Sequence, residues 1–95
     1  MTNQQANGTR KVTFELPAEA GASGGSVCGE FNDWTPGATP LRRRKDGSLA
    51  AAVTLNTGRS YRYRYLLDDD RWENDWAADA YVPNDFGSED ALVNV

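Results

Sequence analysis

The stretch at residues 60–68 narrows the fold more than any other part of this 95-residue chain. Tyr61, Tyr63, Tyr65 and Leu67 fall on every second position, with Arg62, Arg64 and Leu66 between them. Side chains of a β-strand alternate between two faces, and aromatic residues favour strands, so this pattern predicts a half-buried strand and not a helix. The same alternation recurs at residues 11–16, where Val12, Phe14 and Leu16 share a face, and at 49–55, where Leu49, Ala51, Val53 and Leu55 do. Shorter strands are expected at 26–31, 41–45 and 91–95. Asp46 and Gly47 form the strongest hairpin signal in the chain, and Asn56, Thr57 and Gly58 mark a further turn. No segment holds a 3.6-residue period. Six or seven short strands separated by turns in so short a chain predict an all-β fold, an immunoglobulin-like antiparallel β-sandwich.

Residues 1–9 are polar and lack periodicity, so a disordered N-terminal tail is expected, followed by one domain over 10–95. No apolar run approaches the roughly 20 residues of a membrane span, and no signal pattern opens the chain; a cytoplasmic monomer without membrane contact is the expectation. The net charge of −4 argues against a nucleic-acid partner. Arg42, Arg43, Arg44 and Lys45 form a basic run, but on a strand alternate members face opposite ways, so no single patch is expected.

The chain contains no histidine, which removes the commonest general base and the commonest zinc ligand. Its single cysteine, Cys28, lies in an apolar stretch and is expected to be a buried, inert thiol. The fourteen carboxylates cluster in turns, where acids are solvated and their pKa values stay ordinary, so no catalytic pair is expected. Asp68, Asp69 and Asp70 fit no calcium-loop spacing and read as a hairpin turn. Neither an enzyme, a cofactor nor a metal site is expected.

The tryptophans point elsewhere. Trp34 lies between Asp33 and Thr35 in a turn-rich loop, and Trp72 lies between Arg71 and Glu73 after the aspartate turn. A lone aromatic in a turn usually folds back over the core as a lid. Two in polar surroundings fit a binding surface, because a flat indole matches the C–H face of a pyranose ring while nearby polar groups bond its hydroxyls. Arg64 projects opposite the tyrosines; its planar guanidinium suits vicinal hydroxyls, and an ordinary solvated position is an equal reading. Trp76, beside Ala77 and Ala78, is expected in the core.

Read in order, Gly29, Phe31, Asn32 and Trp34 resemble the G-x-F-N-x-W signature of carbohydrate-binding module family 48, which includes the early-set domains of isoamylases and branching enzymes and the glycogen-binding domain of a kinase regulatory subunit. The likeness continues through Asp46 and Gly47, the strand at 61–68, Trp72, Asp75, Phe86 and Gly87, and the closing Leu92 to Val95. This resemblance implies a non-catalytic module for an α-1,4-glucan such as glycogen or starch. It implies sugar-binding roles for Trp34, Trp72, Arg64, Phe86 and Asp90, with Arg64 where the kinase-subunit members have lysine, Phe86 where they have leucine, and Asp90 where they have asparagine. The alternative it leaves is an interaction domain that keeps the fold and docks on a glucan-processing enzyme without binding sugar.

Overall fold

The computed structural model describes residues 8–68, 70–85 and 87–95. Among these, eight strands form one antiparallel sheet, seven of them in a continuous path, that curls on itself into two layers, as in an immunoglobulin-like sandwich. In chain order they are β1 (Thr9–Leu16), β2 (Gly25–Gly29), β3 (Pro40–Arg43), β4 (Leu49–Asn56), β5 (Ser60–Leu67), β6 (Trp72–Glu73), β7 (Ala80–Pro83) and β8 (Glu89–Asn94). Neighbours run β1-β4-β3-β2-β5-β8-β7, and β6 pairs with β5 beside β8. β1 and β4 pair along their full length, from Thr9 with Asn56 to Leu16 with Leu49. β3 bridges the layers, pairing with β4 through Arg42 and Arg43 and with β2 through Pro40 and Leu41.

The alternation expected from the sequence decides which side faces in. Phe14 and Leu16 of β1, Leu49, Ala51 and Leu55 of β4, and Tyr61, Tyr63, Tyr65 and Leu67 of β5 are all buried in one cluster. Phe14 packs edge-on to Tyr63 with ring centres 4.7 Å apart, so the two layers meet through aromatic rings. The Asp46 turn closes the β3–β4 hairpin: Gly47 takes φ 87°, a left-handed conformation that glycine adopts without penalty. Ser48 donates both its amide and its hydroxyl to Asp46 Oδ1, at 2.9 and 2.6 Å, and those bonds hold the exposed Asp46 carboxyl below its ordinary pKa.

Several elements differ from the sequence reading. β1 begins at Thr9, two residues before the alternation was expected to start. β2 ends at Gly29, and a 3-10 turn over Glu30–Asn32 replaces its expected continuation. Residues 80–83, expected as loop, form β7; Pro83 is tolerated because β7 closes the strand order at an edge, where a missing N–H breaks no ladder. Arg42 pairs with Ala50, whereas Arg43 pairs with the buried Leu49, so these neighbours of the basic run fall on opposite faces of β3. Among the described residues, no helix is long and apolar enough to cross a membrane.

Candidate functional site

The site is built on the outer face of β5, and it begins with the Gly29 motif. A side chain at Gly29 would lie 2.6 Å from the Arg62 carbonyl oxygen, 2.8 Å from the Phe31 ring and 2.9 Å from Tyr63 Cβ. Only glycine fits where β2 presses so closely on β5. Phe31 then turns into the molecule and stacks on Phe14, with ring centres 5.4 Å apart. Asn32 locks the turn: its Oδ1 accepts from the Gly29 amide at 3.0 Å, and its Nδ2 donates to the Val27 carbonyl at 2.9 Å and to Thr39 Oγ1 at 3.0 Å.

With both ends held, the chain passes through two successive left-handed residues, Asp33 at φ 54° and Trp34 at φ 58°. Such conformations cost about 1–2 kcal/mol each for residues with a side chain, so they persist only where their surroundings enforce them. The Trp34 amide donates to the Gly29 carbonyl at 2.9 Å, which closes the turn and sets the indole on its outer side. Each residue of the motif thus has a mechanical task, and the last is to hold Trp34 in a strained, defined position.

The remaining residues arrive by strand register. Residues paired across a sheet share a face. Trp72 pairs with Leu66, two positions from Arg64 on β5, so Trp72 and Arg64 share the outer face. Asp90 pairs with Val82, and Arg62 pairs with Leu92, which puts Asp90 on that face too. Trp34, Arg64, Trp72, Asn84 and Asp90 line a single surface pocket of about 560 Å3. That volume lies within the range of roughly 300–1,000 Å3 usual for small-molecule sites. Trp72 is 44% exposed, and Trp34 is half-buried. Phe86, the fifth residue the resemblance pointed to, lies outside the described residues.

Asp90 departs from the expected picture of a solvated turn acid. It is 7% exposed, within β8, and its two oxygens are occupied. Asn84 Nδ2 donates to Oδ1 at 3.0 Å, and Arg62 Nη1 lies 3.8 Å from Oδ2. Sheet register, which composition does not reveal, takes this acid out of water and supplies the partners that burial demands. Asn84 is the residue that the sequence reading missed. Its neighbourhood to Pro83 marked only a loop, yet its side chain joins Asp90 to the Ser88 amide, which donates to Asn84 Oδ1 at 3.2 Å. Ser88 in turn accepts from Arg64 Nη1 at 3.3 Å. The polar edge of the pocket is therefore a connected chain, Arg64–Ser88–Asn84–Asp90–Arg62. Arg64 Nε is buried without a protein partner among the described residues.

A model of the family called carbohydrate-binding module 48, the isoamylase N-terminal domain, matches residues 2–82. The chain belongs to this family. The match carries the Gly29 motif, Arg64 and Trp72 within it, while Asn84 and Asp90 lie beyond its end and enter the pocket through the β8 register. No curated protein matches the chain. As a family 48 member the protein is a carbohydrate-binding module, a class whose work is to hold sugar and not to transform it. Among the described residues no group of three or more His, Cys, Asp or Glu side chains is placed to hold a metal ion.

Cys28 is fully buried, though outside the core cluster. It pairs with Arg64 and so lies on the outer face of β2, covered by the loop that carries Trp34, with Ser26 Oγ 3.8 Å from its sulfur. Trp76 is the clear correction among the aromatics. Expected in the core, it stands 52% exposed on a turn, outside the Trp34–Trp72 pocket. Asp75, expected as a solvated acid, accepts instead from the Tyr63 hydroxyl at 2.6 Å and the Tyr65 hydroxyl at 3.1 Å. That bond draws the chain against the sandwich at Asp75 and leaves the next residue outside.

Proposed function

We propose that the protein binds α-1,4-linked glucan, with Trp34 and Trp72 stacking on successive glucose rings in the outer-face pocket. The convergence of Trp34, Arg64, Trp72, Asn84 and Asp90 on one pocket is the observation that carries this reading. These residues come from separate parts of the chain, and most of them stand where the family resemblance implies sugar contacts. Two flat apolar faces beside a chain of amide, hydroxyl and guanidinium groups suit a ligand with apolar ring faces and a polar rim.

In this reading Arg64 and Asn84 meet the sugar hydroxyls. Asp90 has a different role from Arg64: with both oxygens engaged, it orients the Asn84 amide and the Arg62 guanidinium. The amide lost where Asp90 replaces asparagine thus returns through Asn84. A shallow site that orders a flexible oligosaccharide binds weakly, in the micromolar to millimolar range, roughly 4–8 kcal/mol.

Titration with maltoheptaose, followed by indole N–H resonances, tests it. Saturable shifts of Trp34 and Trp72 are expected, and Trp72→Ala should weaken binding by at least about tenfold, or ~1.4 kcal/mol, with the fold intact. No shift of either indole at ~10 mM, above the expected range, overturns the proposal and favours docking on a protein partner.

A further inference from the structure

Trp76 has the largest exposure of the tryptophans, and its turn is anchored by several hydrogen bonds to Asp75. Asp75 Oδ2 accepts from Tyr63 and Tyr65, Asp75 Oδ1 accepts from the Ala77 amide at 3.0 Å, and the Asp75 carbonyl accepts from the Tyr81 hydroxyl at 2.6 Å. The ring is also fixed at its other end, since Trp76 Nε1 donates to Glu73 Oε2 at 2.9 Å. An apolar side chain that folding has no use for normally moves freely at the surface. Here several hydrogen bonds, some reaching into the core, hold an indole outward. With its only polar atom satisfied, what it presents to solvent is a flat aromatic face.

That face borders a depression of about 470 Å3, next to Pro17 and Ala77 and rimmed by Glu15, Arg44 and Asp46. None of the residues lining it lines the Trp34–Trp72 pocket, so the two are separate. The rim discriminates between ligands. A protein hot spot needs an apolar centre depleted of charge, and charged groups surround this indole closely. A cationic ligand is drawn to an indole face most strongly where carboxylates beside it have no other partner. Here Glu15 is paired with Arg44, Asp46 with the Ser48 amide and hydroxyl, Glu73 with the indole, and Asp75 with the tyrosines. What remains is a rigid aromatic face beside carboxylates that are already held by donors of the protein yet keep lone pairs for further ones, which suits a ring bearing hydroxyls.

We propose that Trp76 forms a second carbohydrate site that takes a single neutral pyranose unit of a glycan. It is independent of the first pocket in its residues and rests on the glucan reading only for the choice of probe. Two sites on one small module make binding to a polymer bivalent, and the second contact then acts at an effective concentration in the millimolar range.

The test follows the Trp76 indole N–H resonance of the whole protein during maltoheptaose titration to ~10 mM. A saturable shift is expected that persists in the Trp34→Ala/Trp72→Ala protein. Trp76→Phe should keep part of the affinity at this site and Trp76→Ala none of it, read on the neighbouring Ala77 amide. If Trp34 and Trp72 respond while Trp76 stays still, the second site is wrong and the first stands. A Trp76 shift that vanishes with the first-site tryptophans overturns its independence. A response to choline chloride without one to maltoheptaose overturns the neutral-sugar assignment. If all three indoles stay still, both proposals fall together.

Discussion

The two faces of β5 perform opposite work on a shared backbone. Inward, Tyr61, Tyr63, Tyr65 and Leu67 are buried, and the tyrosine hydroxyls reach fixed partners: Tyr65 donates to the Glu15 carbonyl of β1 at 3.1 Å, which ties the layers together. Outward, Arg62, Arg64 and Leu66 are half-buried, and the two guanidinium groups meet Ser88, the Pro83 carbonyl and Asp90. The inner face is paired within the protein. The outer face carries Arg64 with its Nε unpaired among the described residues, beside two tryptophans that the sheet does not bury. One strand can separate stability from recognition because its side chains alternate, so a change at one position need not reach its neighbour.

The matched pair Tyr65→Ala and Arg64→Ala tests that separation most severely. Tyr65 is fully buried, and its truncation should cost about 3–5 kcal/mol in denaturant unfolding. Arg64→Ala should change stability by less than about 1 kcal/mol while lowering glucan affinity. Equal stability losses at the two positions would show that the faces are not independent.

Gly29→Ala couples what the two faces keep apart. The added methyl meets the Arg62 carbonyl at 2.6 Å and must push β2 away from β5. A loss of about 1–3 kcal/mol is expected, together with weaker glucan binding as Trp34 leaves its strained position. Unchanged binding in a destabilised variant would mean that Trp34 does not depend on the Gly29 contact.

High pH bears on the inner face alone. Burial first, and then the hydrogen bond and charge of Asp75, push the Tyr63 hydroxyl well above its ordinary pKa of 10.0. Burial and the Asp75 charge do the same for Tyr65. Both stay protonated in the fold at pH values where the unfolded chain ionises. The stability they contribute is therefore fully present below pH 10.0 and is lost as pH rises above it. Unfolding midpoints measured from pH 7 to 11 should fall steeply beyond about pH 10, and the Tyr63→Phe/Tyr65→Phe protein should show a shallower fall. At pH 7 that double variant should lose only about 1–3 kcal/mol, the worth of its hydrogen bonds. Equal alkaline slopes in the two proteins would place the tyrosines outside the linkage.

Much of the fold was legible because burial on a sheet imposes a period of two, and Phe14, Leu49 and Tyr65 occupy the faces that period assigns them. Short elements were harder to read. β6 has two residues and β7 ends on a proline; neither is long enough to show alternation, and each exists because a neighbouring strand offers a ladder. Trp76 was misread for a related reason: adjacent alanines suggest a core, but a hydrogen bond from Tyr63 to Asp75 decides which side of the turn meets water. Asn84 gave no local signal at all.

By itself the sequence determined the strand faces, which depend on neighbours close along the chain, and it pointed to Trp34 and Trp72 through their polar turns and to Arg64 and Asp90 through the family likeness. Only the tertiary structure decided that Asn84 joins them, that Asp90 is buried, and that Trp76 faces solvent away from that pocket. Those outcomes turn on register between strands and on hydrogen bonds between residues far apart in sequence, such as that from Tyr65 to Glu15, and no local pattern encodes either.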